Sequence, residues 1–289
     1  MNVAIIGSGK IGIDLYVKCI RADFISNCKI FNRNKNSLGS IYCRSKRYNL
    51  SSKGVNQLIS EINSFQIIVD ATSASSNIEN YKKLKPYLKG KFFINLTPSG
   101  IGDSFVPFKK IKNIPNLINM ISCGGQSTIP IISELNQLLN KSLNYVELVS
   151  SISSVSAGPA TRENINEYIN ATSNAIKKFT KIKKVKVIIN LNPSDPPVNM
   201  MNTIFFEQEN NFSVDQFSKI KKKITEVNKI IKQYIPQYNA KFFSTFEKNI
   251  FRVTIRVVGQ GDYLPPHAGN LDIINSSSLH IIKLINENR

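Results

Sequence analysis

The sequence predicts an α/β fold, a parallel sheet followed by a second domain of mixed α+β type, and three observations predict it. The first is a short apolar strand at residues 3–6 that runs into Gly7-Ser8-Gly9-Lys10-Ile11-Gly12. A stretch with Ile13, Leu15, Val17 and Ile20 at helical spacing follows directly. The second is an alternation of apolar runs at 29–32, 66–70, 92–96 and 118–122 with helical stretches around 55–62 and 78–88. Alternation of that kind means parallel strands joined by right-handed crossovers. The third is a change of pattern after residue 125. A helix at 127–139 leads to longer apolar strands at 145–153, 185–191, 203–207 and 250–258, with helices at 164–179 and 214–235 between them. A last helix near 271–286 is placed to pack back on the first sheet. The expected division is a first domain of residues 1–125, completed by 266–289, and a second of 126–265.

The order strand, GxGxxG, helix is what gives the glycines meaning. The first permits a tight turn, the second lets backbone approach a pyrophosphate, and the third lets helix and strand pack closely. The helix then faces the phosphates with its dipole and its free N–H groups. A Rossmann-type domain binding a dinucleotide is the expectation.

Composition narrows the partners. Hydrophobic residues at 42% and charged residues at 20% are a globular balance and exclude a disordered chain. The formal charge of +19 at pH 7 raises nucleic acid as a partner. Against it, runs such as Lys177-Lys178, Lys183-Lys184 and Lys221-Lys222-Lys223 fall at helix ends and on polar faces without interleaved aromatics. The charge is read as solvated, with a field that favours polyphosphorylated small molecules. No apolar stretch is long enough to span a bilayer, and residues 1–6 enter a strand without a basic leader, so a cytoplasmic location is expected. The four cysteines, Cys19, Cys28, Cys43 and Cys123, form no CxxC pair and there are two histidines, which argues against zinc and against a disulfide framework.

Cys123 stands apart from the other three. It follows an expected strand and precedes Gly124, Gly125 and a helix. At a helix start the partial positive charge favours thiolate, with pKa values of about 3.5–7.5 in place of about 8.5. The two glycines leave room for a substrate and for N–H groups aimed at a developing oxyanion. A thiolate there adds to an aldehyde, hydride leaves to a nicotinamide, and the thioester that remains is open to a second thiol. The loop from Ser156 to Arg162 joins a strand to a helix and is expected to position the nicotinamide end.

Several long stretches carry a resemblance to the acylating, CoA-dependent acetaldehyde dehydrogenase family that covers nearly the whole chain. They are VAIIGSGKIGIDL at 3–15, VDATSA at 69–74, INLTPSGIG at 94–102 and NMISCGGQSTIP at 119–130, with SISSVSAGPATRENINEY at 151–168, NPSDPP at 192–197 and YLPPHAGNLDI at 263–273. The resemblance implies a Rossmann domain, a dimerising α/β domain and a C-terminal helix returning to the first domain. It implies oxidation of acetaldehyde with CoA and NAD⁺ to acetyl-CoA and NADH, the acyl group passing through Cys123. Cofactor contacts map to Ser8, Gly9, Lys10 and Ile11, to Ser156, Ala157, Gly158, Pro159, Ala160, Thr161, Arg162, Glu163 and Asn164, and to Asn270. It further implies a homodimer or larger assembly, association with a 4-hydroxy-2-oxovalerate aldolase, and a place in aromatic hydrocarbon catabolism.

Four departures qualify it. Asn202 stands where the family has an aspartate assisting acid–base steps, and an amide cannot take a proton. The second strand ends Phe31-Asn32-Arg33 where the family has an acidic residue; a neutral residue beside an arginine admits NADP⁺. The chain is shorter between Phe242 and Ile250, and Ala160 replaces a glycine. Two other readings therefore stay open. One is a phosphorylating-type semialdehyde dehydrogenase, for which the histidine would be His267 or His280. The other is a catalytically weakened paralogue that binds dinucleotide and acts as a scaffold for an aldolase.

Overall fold

The alternating residues of the first strand, β1 (Asn2–Ile6), face two different cores. Val3 and Ile5 pack with Ile13, Leu15 and Val17 of α1 (Lys10–Arg21), while Ala4 and Ile6 pack with Leu58, Phe65 and Phe93. A strand apolar on both sides belongs at the centre of a parallel sheet covered on both faces. The computed structural model, which describes residues 1–108, 113–158, 162 and 165–288, shows that sheet.

The sheet has seven strands in the order β3-β2-β1-β4-β5-β7-β6. They are β1, β2 (Asn27–Phe31), β3 (Leu50–Ser51), β4 (Ile67–Asp70), β5 (Phe92–Asn95), β6 (Asp103–Ser104) and β7 (Leu117–Asn119), all paired in parallel. Helices α2 (Leu38–Ser45), α3 (Gly54–Ser60) and α4 (Ala74–Leu84) occur in the connections after β2, β3 and β4. The strand order reverses between β1 and β4, the point at which sheets of this type bind ligands. This first compact unit comprises Met1–Ile121, Gly261–Leu264 and Ile274–Arg289.

The last helix, numbered α8 here (Gly269–Glu287), enters that unit through Ile281, Ile282 and Ile285, fully or nearly buried beside Val3 and Ile5. Each contributes about 1.5–3 kcal/mol by burial. A polar clasp fixes the approach. Buried Asp14 accepts from the N–H groups of Tyr263 and Leu264 and from Asn275 Nδ2 at 2.8 Å, and Lys18 Nζ lies 2.6 Å from Asp262. The return of the C-terminal helix to the first sheet thus has an apolar and a polar cause.

The second unit comprises Ser122–Gln260 and Pro265–Ile273. Its five-stranded sheet has the order β11-β12-β10-β8-β9, with β8 (Leu143–Ser153), β9 (Lys184–Asn192), β10 (Met200–Gln208), β11 (Tyr238–Ser244) and β12 (Ile250–Val257). Only the β8–β9 pair is parallel. Helices α5 (Cys123–Leu138), α6 (Ile165–Thr180) and α7 (Val214–Ile231) complete the unit, α5 packing against both of the others. Along β10 the side chains of Met200, Asn202, Ile204 and Phe206 are buried, so Asn202 is a polar residue in an apolar row.

Three differences from the sequence expectation have local causes. Helix α5 starts at Cys123 and not at 127, because Ser122 caps it and the two glycines are helical. Strand β11 was not expected; its burial alternates only over Tyr238–Ala240, after which an edge strand faces solvent. Helix α2 was not expected either, with only Ser40 and Cys43 buried to mark its face. No helix among the described residues is long and apolar enough to cross a membrane.

Candidate active site

In the first unit the glycine loop follows β1. Gly7 has φ +105°, and a Cβ there would lie 2.9 Å from the Ala71 carbonyl oxygen. A Cβ on Gly12 would come within 2.1 Å of the Gly7 carbonyl oxygen, so α1 seats directly on the loop. Gly9 differs: nothing lies within 4 Å of its missing Cβ, and as N-cap of α1 it offers no side chain to the helix amides. An open face over uncapped N–H groups fits a pyrophosphate. Ser8, Gly9, Lys10 and Ile11 are brought together at this one place.

Beyond the loop an open cleft of about 160 Å³ is lined by Gly7, Asn32, Arg33, Lys53, Thr72 and Lys83, among others, with Glu79 as its carboxylate. Asn32 does not simply present its amide to this cleft. Its Nδ2 donates to Asn34 O at 3.0 Å, to Ser37 Oγ at 3.0 Å and to Ser40 Oγ at 2.7 Å.

In the second unit α5 begins with its own cap: Ser122 Oγ accepts from Gly125 N–H at 2.9 Å and lies 2.6 Å from Thr172 Oγ1. Ile121, just before it, holds φ +64°, a strained value for a β-branched residue that costs of order 1–3 kcal/mol. Cys123, the first helical residue, is partly exposed. Its thiol donates to the Tyr168 hydroxyl at 4.0 Å, which in turn donates to Ser150 Oγ at 3.1 Å. Gly124 makes the approach of Tyr168 feasible, since a Cβ there would stand 2.2 Å from that hydroxyl. The room expected for a substrate at Gly124 is therefore filled by a side chain of the protein itself.

The dense surroundings of the sulfur decide its acidity. Burial pushes the Cys123 thiol up to about 11, opposed by hydrogen bonds from Tyr168 and from the N–H groups of Gly124 and Cys123. This reverses the expected direction: desolvation of the thiolate outweighs the donors at the helix start. Cys43 is likewise pushed to about 11 by burial and Cys28 well above the ordinary value, but neither stands at the start of a helix. Burial also pushes Tyr168 well up, so its hydroxyl stays protonated.

Asn202 meets α5 one turn further on, where its Nδ2 donates to Ser127 Oγ at 2.8 Å, while its buried Oδ1 has no partner. Across the sheet Asn202 stands opposite Ser150. Ser127 Oγ donates to Gly124 O, so the amide acts on the helix through a hydroxyl.

The remaining expected positions divide. Ser156 Oγ donates to Ser153 O at 2.8 Å; Arg162 Nε donates to Ala157 O at 3.2 Å and its Nη2 to Ser154 O at 2.9 Å, which ties that loop to itself. Gly158 has open space around its Cβ position. Asn270 lies in the first turn of α8, buried, with Oδ1 unpartnered, an acceptor that suits a polar ligand. Pro159, Ala160, Thr161, Glu163 and Asn164 fall outside the described residues. Sequence reasoning missed Tyr168, Ser150, Thr172 and Ser127. The signal was present for two: Tyr168 and Thr172 share the buried face of α6 with Ala175 and Ile176.

A dinucleotide-type sheet with a glycine loop, joined in one chain to a unit whose helix starts on a cysteine thiol, is a plan that suits the aldehyde dehydrogenase class. Comparisons with known proteins agree. Residues 123–265 match the family model for the prokaryotic acetaldehyde dehydrogenase dimerisation domain, and residues 1–114 match that for shikimate/quinate 5-dehydrogenase. The acetaldehyde dehydrogenase of Pectobacterium atrosepticum is 36% identical over 296 residues, covering 100% of this chain and 97% of that one. That of Geobacillus stearothermophilus is 36% identical over 283 residues, covering 97% and 94%. The chain belongs to the acetaldehyde dehydrogenase family. In fold it is similar to the aspartate semialdehyde dehydrogenase of Francisella tularensis (TM-score 0.62, 16% identity, 98% of this chain and 100% of that one). It is similar also to a probable aspartate-semialdehyde dehydrogenase of Pseudomonas aeruginosa (TM-score 0.67, 10% identity, 99% and 98%).

Proposed function

We propose that the chain oxidises acetaldehyde or another small aldehyde, together with CoA and NAD⁺, to acetyl-CoA or the matching acyl-CoA and NADH, through a thioester on Cys123. The observation that carries this reading is the placement of Cys123 Sγ at the start of α5, in reach of the N–H groups of residues 123 and 124 and of the Tyr168 hydroxyl. Thiolate Sγ adds to the aldehyde carbon, and the same N–H groups are the donors at hand for the charge that develops on oxygen. Loss of hydride from the hemithioacetal leaves a thioester, and a second thiol, that of CoA, displaces Sγ. NAD⁺, when bound, supplies the hydride acceptor. Ser8, Gly9, Lys10 and Ile11 would hold its phosphates; family likeness alone adds Ser156, Gly158 and Asn270 to the residues proposed to contact it.

Arg33, Lys53 and Lys83 around the cleft make NADP⁺ an acceptable substitute, since a 2′-phosphate gains from cations where a carboxylate would repel it. Family likeness favours CoA transfer over a Cys–His phosphorylating mechanism. A homodimer formed through the second unit, an aldolase partner delivering the aldehyde, and a cytoplasmic location complete the reading, all three from family likeness. The test is mass spectrometry of the protein after aldehyde and NAD⁺ without CoA. The expected result is an acyl adduct on Cys123 that CoA removes. An unmodified Cys123 after aldehyde and NAD⁺ without CoA would overturn the mechanism and favour a dinucleotide-binding scaffold.

A further inference from the structure

A buried thiol needs help to become a nucleophile, and the residue expected to give it is missing. Asn202 carries no titratable group, and its Nδ2 is spent on Ser127. The groups that face Cys123 are Tyr168 from α6 and the N–H groups of residues 123 and 124 from α5; behind them stand Ser150 on β8 and Asn202 on β10. None of these is charged.

Within that set one hydroxyl is positioned with care. Tyr168 is buried, its ring held on the inner face of α6. Thr172, a turn later, donates to Tyr168 O at 2.6 Å and touches the Ser122 cap at 2.6 Å, which ties this face of α6 to the first turn of α5. Its hydroxyl has an acceptor in Ser150 Oγ and a sulfur at 4.0 Å, and only a glycine at 124 leaves space for it. A contact at 4.0 Å is long for a neutral thiol; catalytic hydrogen bonds commonly tighten only when charge develops.

We propose that Tyr168 is a catalytic hydrogen-bond donor: its O–H turns from Ser150 to Cys123 Sγ as the thiolate forms, and with the two amides takes the place of an ionisable base. Ser150 is the positioning residue, the acceptor that keeps the hydroxyl in place while the thiol is neutral. The thiol proton leaves to water, Cys123 being a partly exposed residue, because neither Tyr168 nor Ser150 is a group that holds a second proton. Tyr168 keeps its own proton throughout. The inference rests on the thioester reading for its purpose, but not for its test.

That test is the pH dependence of iodoacetamide alkylation at Cys123 in the whole protein, followed by peptide mass so that Cys19, Cys28 and Cys43 are counted separately. Aldehyde, cofactor and CoA are absent, so failure of the thioester reading would appear in the acyl-adduct experiment and not here. A hydrogen bond to a charged group is worth about 1.5–3 kcal/mol, so Tyr168→Phe is expected to raise the apparent alkylation pKa by about one to two units. The kcat for aldehyde oxidation is expected to fall about ten- to hundredfold with little change in KM. Placing 3-fluorotyrosine at 168, nearly the same shape and a stronger donor, is expected to lower the alkylation pKa. It decides the matter if the phenylalanine variant fails to fold. Alkylation profiles that superimpose on the parent for a folded Tyr168→Phe, or for the fluorotyrosine protein, would show that Tyr168 only packs and would overturn the proposal.

Discussion

Two strand-to-helix junctions, the one after β1 and the one after β7, look alike as sequence and are built in opposite ways. After β1 the glycine at the N-cap of α1 has no neighbour at its Cβ position and brings no capping side chain, so the helix amides are left without a side-chain cap. After β7 the helix α5 is capped by Ser122, and Gly124 is filled by the Tyr168 hydroxyl. A glycine at a helix start makes room in both. In one the room stays open, in the other it is taken by a side chain of the same chain. The difference shows that a glycine in a motif reports close approach without saying what approaches.

The comparison is most severely tested by Cys123→Ala. It removes the sulfur from the second junction and leaves the first intact, so CoA-dependent NADH formation should fall at least about a thousandfold. Dinucleotide binding, followed by titration calorimetry, should stay within about twofold of the parent. Retained turnover within about tenfold would remove Cys123 from the chemistry.

Alanine substitutions at the glycines separate the two junctions. Gly124→Ala should cost about 1–3 kcal/mol in a denaturant melt, because the new Cβ meets Tyr168, and Gly12→Ala about as much from its clash with the Gly7 carbonyl. Gly9→Ala should change stability by less than about 0.5 kcal/mol and yet weaken dinucleotide binding, since its Cβ meets nothing in the protein. Normal cofactor affinity in a stable Gly9→Ala protein would mean that the first junction's open face has no ligand.

Asn202→Asp tests whether the second junction lacks a base. A carboxylate there has no donor to offer Ser127 and is fully buried, so it should remain largely protonated near neutrality. The rate at pH 7–8 is expected to rise by less than about tenfold. A larger gain would show a junction waiting for its base. In the parent, alkylation of Cys123 should keep rising with pH toward about 11, since a thiol held up by burial gains thiolate only as pH climbs through that range. A plateau near neutrality would contradict the burial argument.

The smallest effect concerns the cleft beside the first junction. Arg33→Ala should reduce affinity for NADP⁺ about tenfold relative to NAD⁺. Asn32→Asp should give a less tidy result than an exchange of ribose contacts, because it also removes the amide donor that Asn34 O, Ser37 Oγ and Ser40 Oγ share. If Asn32→Asp binds NAD⁺ more tightly with no loss of stability, that donor is dispensable.

The first sheet was legible because its information is local. The apolar run of β1, the glycine spacing and the helical period of α1 lie within about twenty residues, and each obeys a rule of backbone geometry. The course of the last helix was legible for a similar reason, as an apolar face at the end of the chain. Two local features misled. Cys123 before Gly124 and Gly125 reads as an acidic thiol with space around it, and the fold supplies a buried one with a neighbour.

What the sequence by itself determined is the pair of units, the glycine loop, the candidate nucleophile and the amide at 202. Only the tertiary structure decided that Tyr168, 45 residues from the cysteine, meets its sulfur, that Ser150, 27 residues away, holds the Tyr168 hydroxyl, and that Asn202 acts through Ser127. The physical reason is that acidity and hydrogen bonding depend on which groups are desolvated together. Desolvation is a property of packed surfaces, and packing between β8, α6 and α5 joins residues that no spacing rule relates.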